Sequence, residues 1–262
     1  MTESLWPRSG AEDWDASGLV SGDAASDVTH IHLAVDAVID TVDEAIDLGA
    51  DLVIAHHPLL LRGVTSIAED RYKGSVLARL IRANCALLAA HTNADVVESG
   101  TSATLAGRLG LTDLRPIVAG ETAATGIGRI GALPQPTTLG RLARELGDIL
   151  PPTAGGILAS GSYDAPISTV ALCAGAGDAY LSNAEVLGAD VYITSDLRHH
   201  PASEFRENAR VSGGPALIDV SHWASEWLWL ETAASQLRDA IAEVTVTVSD
   251  LRTDPWDFAI VQ

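Results

Sequence analysis

The sequence predicts an α/β protein made of two similar halves, on three observations. Short apolar runs punctuated by Gly and Pro alternate with helix-period segments. The run DLVIA at 51–55 is apolar throughout, as a parallel strand covered on both faces should be. The tetrapeptide LGAD occurs at 48–51 and again at 187–190, an offset of 139, and the elements flanking it coincide without a gap.

The elements follow in order. Residues 30–36 (HIHLAVD) read as a strand. Thr41 and Glu44 have capping-box spacing and open a helix that stops at Gly49. Strand 51–55, helix 75–83, strand 85–90 and helix 101–109 complete the first set, the last helix stopping at Gly110. After a Gly-rich stretch at 120–128 come strand 128–133, helix 138–146, strand 169–174, helix 179–187 and strand 190–194. Helix 202–209, strand 216–220, a long helix at 222–242 and strand 244–248 close the chain. The expected domains are 1–125, carrying HHP and HTNAD, and 126–262, carrying ITSDLRHH and SHWASE, with the C-terminal segment able to pack back on the first half. Two similar halves facing each other would place a site at their junction.

Composition narrows the class of protein. The 262 residues hold 16 Lys+Arg against 35 Asp+Glu, a formal charge of −19, which disfavours general nucleic-acid binding and docking on anionic membranes. No apolar run approaches the roughly 18 residues a membrane helix needs, and the N-terminus lacks a signal-peptide pattern. The expectation is a cytoplasmic metabolic protein. Cys85 and Cys173 lie in apolar strand-like runs and read as buried packing residues.

Three strand ends carry chemistry. In IAHHPLL (54–60) a buried strand ends in His56 and His57, followed by a Pro that stops the ladder. Ligands bind at that edge of open α/β sheets. Adjacent imidazoles in a turn can reach one metal, although structural histidines are an equal alternative. In AAHTNADV (89–96) His91 and Asp95 follow the next strand; alone, Asn93 and Asp95 would read as turn residues. In IDVSHWASEW (218–227) His222 and Glu226 are one helical turn apart, and a helix N-terminus favours a neutral imidazole at His222. A solvated i,i+4 pair is the plainer reading there. Trp223, Trp227 and Trp229 read as packing residues.

Imidazole and carboxylate without thiolate suit Zn, Mn, Fe, Ni or Co. His56/His57, Asp95 and the His222–Glu226 pair make five such ligands, which exceed one tetrahedral site and suit a pair of metals, an arrangement that activates water for hydrolysis. Two features are weaker. Asp196, His199 and His200 in ITSDLRHHPAS (193–203) could support a site or form a surface cluster. The AGAG turn at 174–177 could accept a phosphate but reads better as a tight strand–helix turn.

WDASGL (14–19), DLVIAHHPLL, AAHTNADV, AGAG, ADVYITSD and SHWASE, spread over nearly the whole chain, resemble the NIF-three-like dinuclear-metal proteins, whose bacterial members are labelled GTP cyclohydrolase type 2 homologues. The resemblance implies two divalent metal ions per chain, held by His56, His57, Asp95, His222 and Glu226, with Glu226 bridging and His91 close by. It implies two α/β halves with the metals between them, and a toroidal homohexamer built as a trimer of dimers. Ser195 and Ser221 stand where the family usually has Gly, and Trp223 where it has Tyr. The function implied is metal-dependent hydrolysis of a nucleotide-like small molecule, GTP first, with His91, Asp196 and His200 as candidates for proton transfer. The alternatives are a metal-handling protein without turnover and an adaptor.

Overall fold

The computed structural model describes residues 1–260. The chain opens with α1 (Thr2–Leu5) and β1 (Gly18–Ser21), then alternates β2 (His30–Ala34), α2 (Ile39–Asp47), β3 (Leu52–Ala55), α3 (Tyr72–Arg82), β4 (Ala86–Ala89) and α4 (Thr92–Asp95). Next come α5 (Thr101–Arg108), β5 (Thr112–Arg115), β6 (Val118–Ala119), β7 (Gly126–Ile127), β8 (Arg129–Thr138), α6 (Leu139–Ile149), β9 (Leu158–Ser160) and β10 (Pro166–Ala176). The last are α7 (Ala184–Leu187), β11 (Val191–Ser195), α8 (His199–Ser212), β12 (Ala216–Val220), α9 (His222–Ala240) and β13 (Thr245–Val248). All eight strands expected from apolar runs are present.

The chain forms two compact units, Met1–Val97 with Leu230–Thr253, and Glu98–Trp229 with the residues from Asp254. The boundary expected after residue 125 therefore falls earlier, and the chain returns to its first unit near the end. Two pairings explain this. β13 runs parallel to β2, with Thr245 opposite His30 and Val248 opposite Leu33. β5 pairs antiparallel with β8, and Ser102 Oγ on α5 accepts a hydrogen bond from Ala174 N–H (3.1 Å), so residues 98–125 belong with the second sheet.

In the first unit the strand order is β1-β4-β3-β2-β13, parallel except for β1 on the edge. β3 is buried at all four positions, and Val42, Ala45, Val76 and Leu80 from α2 and α3 pack with Val53 and Leu87 of the sheet. Truncating Leu80, which is fully buried, costs about 2–5 kcal/mol. The capping box expected at Thr41 and Glu44 does not form. α2 begins at Ile39, so Thr41 is its third residue, where its hydroxyl accepts from Val38 N–H (3.1 Å) and donates to Asp36 O (2.7 Å). Glu44 turns inward instead, 3.0 Å from Nε2 of the fully buried His32 and accepting from Ser249 Oγ (2.5 Å). Thr247 Oγ1 lies 2.8 Å from His32 Nδ1, so this polar cluster ties α2, β2 and β13 together.

In the second unit the order is β5-β8-β10-β11-β12-β9, with β10, β11 and β12 parallel. The three central strands succeed one another as β2, β3 and β4 do in the first unit, and one side-chain clamp recurs. Asp51 Oδ2 accepts from Thr29 N–H (2.7 Å) and His30 N–H (3.0 Å); Asp190 Oδ2 accepts from Ser168 and Thr169 N–H, both at 2.8 Å. Each aspartate is the last residue of its LGAD, and each partner sits at the same offset of 139. The helix expected at 179–187 is broken: a 3₁₀ turn covers Asp178–Tyr180, and Asn183 Oδ1 accepts from Glu185 N–H (2.8 Å) to start α7 afresh.

Both cysteines are buried, and burial pushes the Cys85 thiol up to about 11, so it stays a neutral packing group. Trp223 and Trp229 are buried as packing residues. Among the described residues no helix is long and apolar enough to cross a membrane.

Candidate metal centre

Neighbouring parallel strands bring the first set of side chains together. Ala55 of β3 lies opposite Ala89 of β4, so the residues following each strand leave the sheet side by side. Backbone bonding continues past the strand ends: His56 N–H donates to Ala34 O (3.0 Å), His57 N–H to Val35 O (2.8 Å) and Ala90 N–H to Ala55 O (2.9 Å). The rings of His56, His57 and His91 pack with centroids 5.1, 5.2 and 5.7 Å apart. Each offers a ligand atom within 4.8 Å of the others.

The tautomers follow from what each ring touches. His56 Nδ1 donates to Ala90 O (2.8 Å), a carbonyl that can only accept. His57 Nδ1 meets Asp36 Oδ1 at 2.7 Å, and His91 Nδ1 meets Asp15 Oδ1 at 2.8 Å. With Nδ1 protonated, each neutral imidazole carries its lone pair on Nε2, the arrangement seen when carboxylates orient metal-ligating histidines. Burial, together with the neighbouring His56, holds His91 below its ordinary pKa against the pull of Asp15 and Asp95, so it is a neutral base at physiological pH. Asp95, closing α4, places Oδ1 3.7 Å from His56 Nε2. This set thus joins His56, His57, His91 and Asp95.

The second unit carries a set of its own. His222 opens α9 and Glu226 follows one turn later, with His222 Nε2 3.0 Å from Glu226 Oε1. Asp196, just past β11 in the left-handed conformation (φ 58°), puts Oδ2 2.8 Å from His222 Nδ1. Gly175 (φ 72°) makes room for the carboxylate, since a Cβ there would collide with Glu226 Oε1. Its N–H donates to Ser225 Oγ (2.9 Å), which in turn donates to His222 O (2.8 Å). The neutral His222 expected from its helix N-terminus is corrected here. Burial opposes the charge, but the Glu226 carboxylate and Asp196 outweigh it and raise the metal-free pKa well above the ordinary value.

The remaining expected residues separate. Asp196 touches His222 and so positions it. His200 lies on the exposed first turn of α8, packed edge-on with His199, and is not part of either set. Ser221 caps α9, accepting from Ala224 N–H (3.2 Å) and donating to Asp254 Oδ2 (2.6 Å). Ser195 ends β11 fully buried. Sequence reasoning missed Asp15 and Asp36 as the anchors of His91 and His57. Asp36 was visible as a polar strand end; Asp15 lies 76 positions from His91 with nothing local to mark it.

The donor set fits a divalent transition metal: nitrogen and carboxylate oxygen without thiolate, on imidazoles whose second nitrogen is already held. An α/β protein whose strand ends present carboxylate-anchored histidines is, by class, a candidate metal-binding protein. The model of the family described as Duf34/NIF3 (NGG1p interacting factor 3) matches residues 1–255, and the chain belongs to this family. It is 44% identical over 262 residues to the GTP cyclohydrolase 1 type 2 homolog of Streptomyces coelicolor, covering 97% of this chain and 90% of that protein. The homologue of the same name from Mycobacterium leprae is 32% identical over an alignment of 365 residues, covering 98% of this chain and 93% of that protein. The crystal structure of Staphylococcus aureus hypothetical protein SA1388 superposes with a TM-score of 0.89 at 27% identity, covering 98% of this chain and 96% of that one.

Proposed function

We propose that this chain is a dinuclear metal protein that hydrolyses a nucleotide-like substrate, with two divalent ions held by His56, His57, Asp95, His222 and Glu226. The observation that carries the reading is the common anchoring of His56, His57 and His222. Each Nδ1 is engaged by an oxygen, at 2.8, 2.7 and 2.8 Å, which directs Nε2 to a ligand. The names of the relatives in Streptomyces coelicolor and Mycobacterium leprae support a nucleotide such as GTP as the first substrate to try.

When bound, the metals supply Lewis acidity and activate water. The chain supplies the rest. His91, neutral and held through Nδ1 by Asp15, is placed to take or give a proton at Nε2, and the Asp15 carboxylate stabilises the imidazolium that results. Asp36 and Asp196 keep His57 and His222 in the ligating tautomer. We extend the proposal to the homohexamer that the family resemblance implies, its subunit contacts apolar and the acidic groups of a chain of charge −19 left at the rim.

Elemental analysis of protein reconstituted with Mn or Zn, combined with turnover of a nucleotide panel, tests this. Two metals per chain and turnover lost on chelation and restored by metal are expected. Glu226→Ala is expected to lose both a metal and activity. Bound, exchangeable metal with no turnover above the Glu226→Ala background would replace hydrolysis with metal handling.

A further inference from the structure

Trp14 is 59% exposed, yet it is not a loosely placed surface residue. Its ring centroid lies 5.8 Å from that of His91, edge to face at 80°. Its chain neighbour Asp15 is locked beneath it, accepting from His91 Nδ1 (2.8 Å), Thr92 N–H (3.1 Å), Thr92 Oγ1 (2.5 Å) and Ser17 Oγ (2.6 Å). The Asp15 side chain is fully buried. An indole is thus held in solvent one imidazole away from the His56/His57/His91 cluster, through the same carboxylate that orients His91.

The geometry points to Trp14 as a stacking platform for the planar base of a nucleotide whose anionic end reaches the histidine cluster. This deepens the hydrolytic reading and rests on it. Indole offers the largest π face of any side chain, and bases stack on aromatic side chains with little dependence on base identity. In so acidic a chain, base stacking supplies affinity that electrostatic capture of a polyanion cannot. Trp14 would then set substrate class, and the metal ligands would act on whatever it presents.

The test is equilibrium binding by calorimetry to metal-loaded full chain, with GTP and with inorganic tripolyphosphate, which carries the anion without the base. Trp14→Ala should weaken GTP binding about five- to 150-fold. It should leave tripolyphosphate affinity and metal content unchanged, while Trp14→Phe retains most of the GTP affinity. Three results would overturn the assignment: unchanged GTP affinity in Trp14→Ala, equal loss for both ligands, or no GTP binding to the wild type. GTP binding that depends on Trp14 but leads to no turnover of any nucleotide would leave the platform standing and remove only the hydrolytic reading.

Discussion

Asp36 Oδ1 lies 2.7 Å from His57 Nδ1, and the same carboxylate accepts a hydrogen bond from Thr253 Oγ1 through its other oxygen. The imidazole is therefore held by a group that is itself held. Asp36→Ala should lower metal affinity about 10–100-fold while leaving the fold intact. Metal titration against a chelator of known affinity measures this, and unchanged affinity would show that His57 needs no such anchor.

Metal binding should release a proton from the second set. His222, raised by Glu226 and Asp196 despite its burial, is protonated at neutral pH in the metal-free protein, and a ligand must be neutral. The sign for stability follows. The His222 contribution is fully present below the unfolded-state value of about 6.5 and is lost as pH rises through the raised folded value. Metal-free protein should thus lose stability on the alkaline side, and metal affinity should rise with pH. Potentiometry in weak buffer during metal addition would record the proton.

Asp15 behaves in the opposite sense. Burial works against its charge, but hydrogen bonds from Ser17, Thr92 and His91 hold its carboxyl well below the usual range. That stabilisation is present above the unfolded-state value of about 3.9 and is lost as pH falls below it through the folded value. Asp15→Ala should cost about 3 kcal/mol at neutral pH, because it leaves buried donors on His91 and Thr92 unmet. Denaturant unfolding at pH 7 and pH 3 should show the gap between variant and wild type beginning to narrow in acid while most of it persists at pH 3.

Gly175→Ala should displace the Glu226 carboxylate and strain a backbone at φ 72°. Loss of metal stoichiometry by elemental analysis, with the far-ultraviolet circular dichroism unchanged, is the expected result.

The hexamer proposal is checked by light scattering at moderate salt. A clean monomer would refute it.

The central strands and most helices were legible because their burial is written in apolar runs, as in β3 and β11. β5 was not, since all four of its residues are exposed and it pairs only along an edge. Glu44 misled because its spacing to Thr41 suits a cap, whereas the buried His32 of β2 offers it a partner across from its helix. At the site, the histidine pair and His91 could be placed together because parallel neighbours end in register. Their carboxylate anchors could not all be placed, since Asp15 reaches His91 from a segment without regular patterning.

The first sheet has a consequence for how the protein is made. β13 leaves the ribosome after every other described strand, yet it pairs with β2, and His30 and Thr247 meet across 217 positions of chain. Residues 98–229, contiguous in the chain, are available to fold while that sheet still has an open parallel edge. During this interval β2 is an unpaired template for foreign strands, and the buried His32–Glu44 pair lacks the Thr247 and Ser249 hydroxyls that complete it. A nascent chain that stalls before residue 245 is therefore a sticky species, and arrival of β13 is the step that removes it from the aggregation pathway.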